Sequence, residues 1–508
     1  PNIVGNYWEW KNPDGQVIQH SDPNNKAWVT ELDSIYQNSK DAWVYSPTFD
    51  FTSLEKPFLA FRYWSNSRVS DGAVIQYSTS TIDSLPNWTV LGGVNTGLNW
   101  YDVDNLVSQP GKQSGFEGFG WTEVNVAGWK VARHKLDELI GEPKVRFRIA
   151  FALSPGSISN DGFAFDDFFI GERQKRVLVE SFTHVNDILY DQVQGNVYNR
   201  IDSNNLDVIL VEYHNEIPTT GLPSNDAFNL FNPADPSART LYYQFSETGK
   251  MGVDGNIKET TTNGLDLTWT TNDFNLAMLE DPIFNVAIDE FTVTGNTVNV
   301  SATIKARKPM PAKLRKVYVA VVEDNLVTAG TSVNHKSVLR KLLPNASGTS
   351  LSNAWSIGTE ETVDVSWTFQ SGAGMPPITP ANLRVVVWIQ SDETRKVHQV
   401  ASSDLPNIPY DSTVVNTEEP LDISTEEAFR LFPNPNNGNF TVQFEGPTSM
   451  ESQWQLIDIN GRIVQEENVP KFTQSILIDA NNFVKGVYFF RLYNEDGIST
   501  VRKVIIDY

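Results

Sequence analysis

Cysteine is absent from the 508 residues. That excludes disulfides, thiolate zinc sites, iron–sulfur clusters and a cysteine nucleophile, so stability must come from packing and from ions held by other ligands. Positive charge is also scarce. Lys and Arg number 39 against 62 Asp and Glu, and a net charge of -23 repels phosphate backbones and anionic lipid surfaces, so no nucleic-acid partner is expected. Long hydrophobic runs are missing too: no stretch approaches the roughly 18 residues of a membrane helix, and no transmembrane segment is expected. The six His, at 20, 134, 184, 214, 335 and 398, never fall into a His-x-x-x-His or Glu-flanked zinc spacing, and each reads as structural. Neither a Gly-x-Ser-x-Gly elbow nor a Walker loop occurs, and a triad built from distant residues would leave no local trace. Behind Pro1 there is no basic stretch followed by an apolar one, so any export signal or upstream segment lies outside this sequence, which reads as a mature or partial chain.

What is present is apolar patterning. Aliphatic and aromatic residues make up 40% of the chain, including 14 Trp, enough for several packed cores. From Tyr7 to Arg173, short alternating runs such as "PFLAFRYWS", "GAVIQYST" and "KVRFRIAFAL" are broken by Gly, Asn, Asp and Pro, the pattern of a β-sandwich. The rhythm then changes. "KRVLVESF" and "LDVILVEYH" read as strands around a helical stretch from Asn186 to Arg200, and "SARTLYYQF" reads as a helix, which together give an α/β unit. From Phe284 onward, "FNVAIDEFTVTGNTVNVSATIKA" places a Thr-Gly-Asn turn between alternating strands. With "KVYVAVVED", "TVDVSWTFQ" and "NLRVVVWIQS" it predicts a second sandwich. An acidic stretch with three prolines follows, a linker by composition, and then a last set of strands begins at "LFPNPNNGNF".

That last set is the most specific. Phe432-Pro433-Asn434-Pro435, Gly438, the Asn460-Gly461 turn, Gly486-Val487-Tyr488 and the closing Arg502-Lys503-Val504-Ile505-Ile506 resemble the type A C-terminal sorting domain of the Bacteroidota type IX secretion system. The resemblance implies recognition by the outer-membrane translocon and its shuttle β-barrel, export across the outer membrane, and a cell-surface or extracellular location. The translocon-recognition positions it assigns are Phe432, Pro433, Asn434, Pro435, Gly438, Gly461, Gly486, Tyr488 and Lys503. Read without the resemblance, the same stretch is an ordinary Ig-like module whose prolines and Asx turns start a strand.

The first region, through "WVYSPTFDF", "GWKVARHKLDEL", "KVRFRIAF" and "DGFAFDDFFIG", is similar to the MAM-like jelly rolls of secreted bacterial adhesins and peptidases. Related adhesin modules often hold structural calcium, and Asp161, Asp166 and Asp167 offer hard oxygen ligands within seven residues, so a shared Ca2+ is one expectation. The other is that Asp161-Gly162 forms a turn while Asp166 or Asp167 caps a strand end. Trp64, Trp88, Trp100 and Trp121 could stack on sugars if exposed, but core positions are favoured for each.

"VLVESFT", "VEYH", Arg239 with Tyr243, "VDG", "YVAVVED", "VLRKLLP", "VVVWIQ" and "VHQV" resemble a Bacteroidota outer-membrane lipoprotein family that joins a thioredoxin-like to an Ig-like domain. Where redox members of that family carry paired thiols, this chain has Asp187 and Tyr190, and the expected proline before Asp254-Gly255 is missing. Thiol exchange needs two thiolates, so no redox activity is expected.

The sequence therefore predicts a multidomain, mainly β protein. Its parts are a MAM-like jelly-roll β-sandwich at 1–173, a thioredoxin-like α/β domain without redox cysteines at 174–282, an Ig-like β-sandwich at 283–408, an acidic linker at 409–427 and a small C-terminal β-sandwich at 428–508. The expected role is non-catalytic: a surface or secreted binding protein with a glycan or protein ligand and no cofactor apart from calcium. Two other classes fit the same modules. One is the accessory tail of a secreted peptidase whose catalytic domain lies upstream, and the other is a structural component of the secretion or gliding apparatus.

Overall fold

The structure is a computed structural model of the whole chain. It describes residues 3–4, 8–15, 17–19, 26–30, 40–80, 87–111, 118–122, 128–154, 161–185, 197–203, 206–216, 225–246, 248–258, 269–327, 334–370, 377–410, 429–434, 436–444, 452–458, 462–470, 473, 475–493 and 499–507. It is mainly β with several sheets, as expected. The chain divides into two compact units, residues 174–416 and the remainder. No described helix is long and apolar enough to cross a membrane.

In the N-terminal stretch, β1 (Ile3–Val4), β4 (Lys40–Phe49), β9 (Val145–Leu153), β6 (Gly72–Ser78) and β7 (Thr89–Val90) form one antiparallel sheet in that order. A second sheet has the order β2 (Trp8–Lys11), β3 (Ala27–Thr30), β10 (Gly162–Glu172), β5 (Pro57–Asn66) and β8 (Lys130–Lys135). Both contribute to one core in which Phe61, Tyr63, Trp100, Trp121, Phe147 and Phe163 are buried. Two of the buried indoles pair their N–H groups with backbone: Trp100 donates to the Leu91 carbonyl and Trp121 to that of Asn99.

Residues 174–416 open with β11 (Val177–Thr183), α1 (Asn199–Ser203), β12 (Val208–His214), α2 (Ala227–Phe231), α3 (Ala234–Tyr243), β13 (Lys250–Val253) and α4 (Thr271–Met278). Side chains explain the helix ends. Asp226 caps α2, and Thr270 with Asp273 makes a capping box on α4. There follow β14 (Phe284–Thr294), β15 (Thr297–Ala306), β16 (Arg315–Glu323), β17 (Leu326–Val327), β18 (Asn334–His335), β19 (Val338–Leu343), β20 (Thr349–Leu351), β21 (Glu360–Thr368), β22 (Leu383–Ser391) and β23 (Val397–Ser402).

The α/β part and the second sandwich expected as separate domains share one sheet, in the order β13-β11-β12-β19-β16-β22-β23 with β20 also on β16. The boundary expected at residue 282 lies in the connection between α4 and β14, and the parts on its two sides are joined by this hydrogen-bonded layer. The join is parallel, Glu212 of β12 against Val338 of β19. On β16, Val317, Val319 and Val321 face a core completed by the β14-β15-β21 sheet, while Tyr318, Ala320 and Val322 face a core shared with Leu178, Phe182 and Tyr213. A strand covered on both faces reads as an unbroken apolar run, and "VYVAVV" is one.

The C-terminal block packs the sheet β24 (Phe429–Phe432), β25 (Asn439–Phe444) and β28 (Ser475–Asp479) and the sheet β27 (Ile463–Val469), β26 (Ser452–Asp458), β29 (Gly486–Tyr493) and β30 (Ser499–Ile506) around Phe440, Trp454 and Phe490.

Candidate functional site

The Pro-Asn-Pro-Asn-Asn-Gly stretch is built into the last sandwich by its asparagines. Asn434 donates through Nδ2 to the Lys503 carbonyl at 2.7 Å and accepts from the Ile505 N–H at 2.8 Å. Asn436 is buried. Its N–H and its Nδ2 both donate to the Ile505 carbonyl, and its own carbonyl accepts from the Asp507 N–H at 2.7 Å. Prolines cannot donate to a ladder, so side-chain bonds from Asn434 and Asn436 supplement the single parallel backbone bridge that Asn436 makes with the last strand. Gly438 follows with φ of 100°, and its N–H donates to Asn436 Oδ1.

The predicted recognition residues thus divide. Pro433, Asn434 and the Lys503 side chain are exposed, whereas Gly438 and Tyr488 are buried, Tyr488 donating its hydroxyl to the Val484 carbonyl. Gly486 lies at the start of β29, paired with Ile506. Phe432 is placed by its backbone on β24. Pro435 and Gly461 lie outside the described residues, as do Asp187 and Tyr190.

The acidic trio of the first sandwich does not form one ligand set. Asp161 precedes β10, and its carboxylate accepts the backbone N–H groups of Val17 and of Ile18, the latter at 2.6 Å. Asp166 and Asp167 lie further along the extended strand, and at about 3.3 Å per residue Asp166 is about 16 Å from Asp161. One calcium with ligands at about 2.3–2.6 Å cannot bridge that span. Asp167 has φ of 53° at a bulge and reaches Arg62 at 3.5 Å. Burial raises Asp166 to about 6. Trp100 and Trp121 are core, Trp88 is nearly so and Trp64 is half-buried against Trp129.

Residues 174–416 contain two buried polar assemblies on opposite faces of the shared sheet. In the first, Arg239 of α3 grips Glu180 of β11, with Nε 2.9 Å from Oε1 and Nη2 2.7 Å from Oε2. Tyr213 and Tyr243 donate their hydroxyls to the same carboxylate. Burial pushes both phenols up and the Glu180 charge pushes them further, so both remain protonated donors. The guanidinium sits over the rings of Tyr318 and Tyr242 at 4.6 and 4.7 Å. Nearby, Asp254 accepts from Lys175 at 2.7 Å, and Gly255 follows because a Cβ there would lie 1.7 Å from the Arg395 carbonyl oxygen.

The second assembly gathers residues that sequence reasoning left apart. Glu212 and His214 alternate on β12 and so share a face, while the β17–β18 hairpin delivers His335 from 123 positions beyond Glu212. His214 Nε2 and His335 Nδ1 both lie 2.8 Å from Glu212 Oε1. His214 Nδ1 lies 2.8 Å from Oδ2 of Asp226, which also accepts from the Val185 N–H at 2.9 Å. Tyr198 donates to Glu212 Oε2 at 3.3 Å. All five side chains are buried. Burial pulls His214 down, but the two carboxylates outweigh it and raise the imidazole to about 9. Burial likewise pushes Glu212 and Asp226 up, and their histidine contacts override it to hold each at about 2. The one signal in the sequence was the Glu-x-His alternation in "VEYH"; nothing local pointed to His335.

Comparison with known proteins rests on the last block. Residues 430–507 match the family described as the secretion system C-terminal sorting domain. The chain thus carries the address of type IX export, which delivers it to the cell surface or the extracellular space. Among solved structures, it is similar to HBP35 of Porphyromonas gingivalis at 14% identity and a TM-score of 0.36, over 66% of this chain and 100% of that one. A domain of the outer membrane lipoprotein Omp28 from the same organism aligns at 16% identity and a TM-score of 0.18, over 24% and 85%. The K1 cleaved adhesin domain of its Lys-gingipain aligns at 12% identity and a TM-score of 0.20, over 34% and 90%. No curated protein matches the chain.

Proposed function

We propose that the chain is a non-catalytic surface protein of the Bacteroidota type, exported through its last domain and displaying its other modules to a glycan or protein ligand. The observation that carries this reading is the match of residues 430–507 to the sorting domain. That block engages the outer-membrane translocon and its shuttle β-barrel, and its two sandwich sheets have a core of their own, as a transferable address requires. The preceding modules support a binding role over catalysis. Cysteine is lacking where a thioredoxin-like site would need it, and the buried charges Glu180 and Arg239 are committed to each other.

The test is transplantation. Residues 409–508, fused behind a fluorescent protein that carries an inner-membrane export signal, are expected to bring it to the surface of a type IX-competent cell. Retention of the fusion in the periplasm would contradict the assignment.

A further inference from the structure

The buried cluster on β12 has the composition and the convergence of a metal site. Its carboxylates and imidazoles are at least 98% buried. Both nitrogens of His214 face carboxylate oxygens at 2.8 Å, and His335 Nδ1 lies 2.8 Å from the same Glu212 oxygen. The two imidazoles thus meet on one oxygen, Oε1, and crowd three donor atoms around a single point.

We propose that Glu212, His214 and His335 hold one divalent transition-metal ion, zinc by ligand type, with Asp226 fixing the orientation of His214 from outside. His214 would lose its Nε2 proton to solvent and bind through that nitrogen, keeping Nδ1–H on Asp226. This is the carboxylate–histidine–metal arrangement that sets tautomer and ring direction. His335 would bind through Nδ1 with its proton moved to Nε2. Two neutral imidazoles, two carboxylates and a dication sum to zero. The three ligand atoms lie within 4.8 Å of one another. A tetrahedral ion with bonds of about 2.0–2.1 Å needs them about 3.3 Å apart, so the 2.8 Å contacts to Oε1 would open by about half an ångström. Tyr198 Oη is a further oxygen beside the carboxylate. Imidazole and carboxylate donors without thiolate suit zinc and disfavour calcium. The ion would fasten the β17–β18 hairpin and the cap of α2 to the C-terminal end of β12.

The full chain, stripped with EDTA and dialysed, is titrated with zinc chloride alone, desalted and counted for zinc by plasma mass spectrometry. One zinc per chain is expected, and His214→Gln and His335→Gln should each retain less than a tenth of that. Glutamine keeps a donor for Glu212, and circular dichroism of each variant checks its fold. Should either variant misfold, Asp226→Asn decides: its zinc affinity should fall about 10- to 100-fold. Failure of the wild-type chain to take up zinc overturns the proposal. So does stoichiometric zinc in both folded histidine variants, or unchanged affinity in Asp226→Asn.

Discussion

His134 shows how one side chain can set the acid limit of a domain. It lies on β8, donates through Nδ1 to the Lys135 carbonyl at 2.6 Å and meets the Thr96 hydroxyl at 2.9 Å through Nε2. Burial lowers it from its ordinary value near 6.5 to about 4. The folded state therefore binds its proton more weakly than the unfolded chain. Its contribution is fully present above pH 6.5 and is lost as the pH falls through 4, about 3 kcal/mol across the window. Nine of the 14 Trp precede residue 174, so tryptophan fluorescence reports mainly on this sandwich. Urea midpoints of the full chain followed that way should drop more steeply between pH 6.5 and 4 for the wild type than for His134→Gln. Parallel pH profiles would remove His134 as the cause. At this scale the sequence was legible where a residue's partners are local. The stretch around Pro433 and Pro435 reads as turn chemistry, and the bonds of Asn434 and Asn436 to residues 503–507 are hidden because the partners lie some 70 positions on.

Among elements, strand β16 is the informative case. Its unbroken apolar text read correctly as a strand, but the sequence could not say that the strand serves two cores, which is why a boundary was expected between layers that share a sheet. The helix over "SARTLYYQF" and the hairpin at Thr294–Thr297 were legible because periodicity and turn chemistry are local signals. The Glu180–Arg239 pair was half visible: the resemblance covers Arg239, Tyr243 and, within "VLVESFT", Glu180, but nothing in the sequence joins the two charges. Removing one member of a buried ion pair strands the other, so Glu180→Gln should cost about 3–5 kcal/mol in denaturant unfolding. Glu180→Leu combined with Arg239→Met should cost clearly less than the sum of the two single changes, because the coupling disappears with both charges. Additive costs would mean that the guanidinium is held by its aromatic surroundings and not by the carboxylate.

For the whole molecule, the strongest functional statement sits in the last 80 residues, because an address domain must be recognisable to a common receptor. The surface that the earlier modules display is shaped by long-range packing and leaves no comparable short motif. The buried cluster on β12 is the extreme of that limit, since its residues come from two strands and a helix cap that only the fold unites. Export directed by the C-terminal block that begins at β24 is the property to test. Its most direct measurement is the location of a chain truncated after residue 428, expressed in a type IX-competent cell with its inner-membrane export intact and followed by protease accessibility on whole cells. The truncated chain is predicted to stay in the periplasm, protected from added protease, while the full chain is digested; surface exposure of the truncated chain at the full-length level would contradict the account.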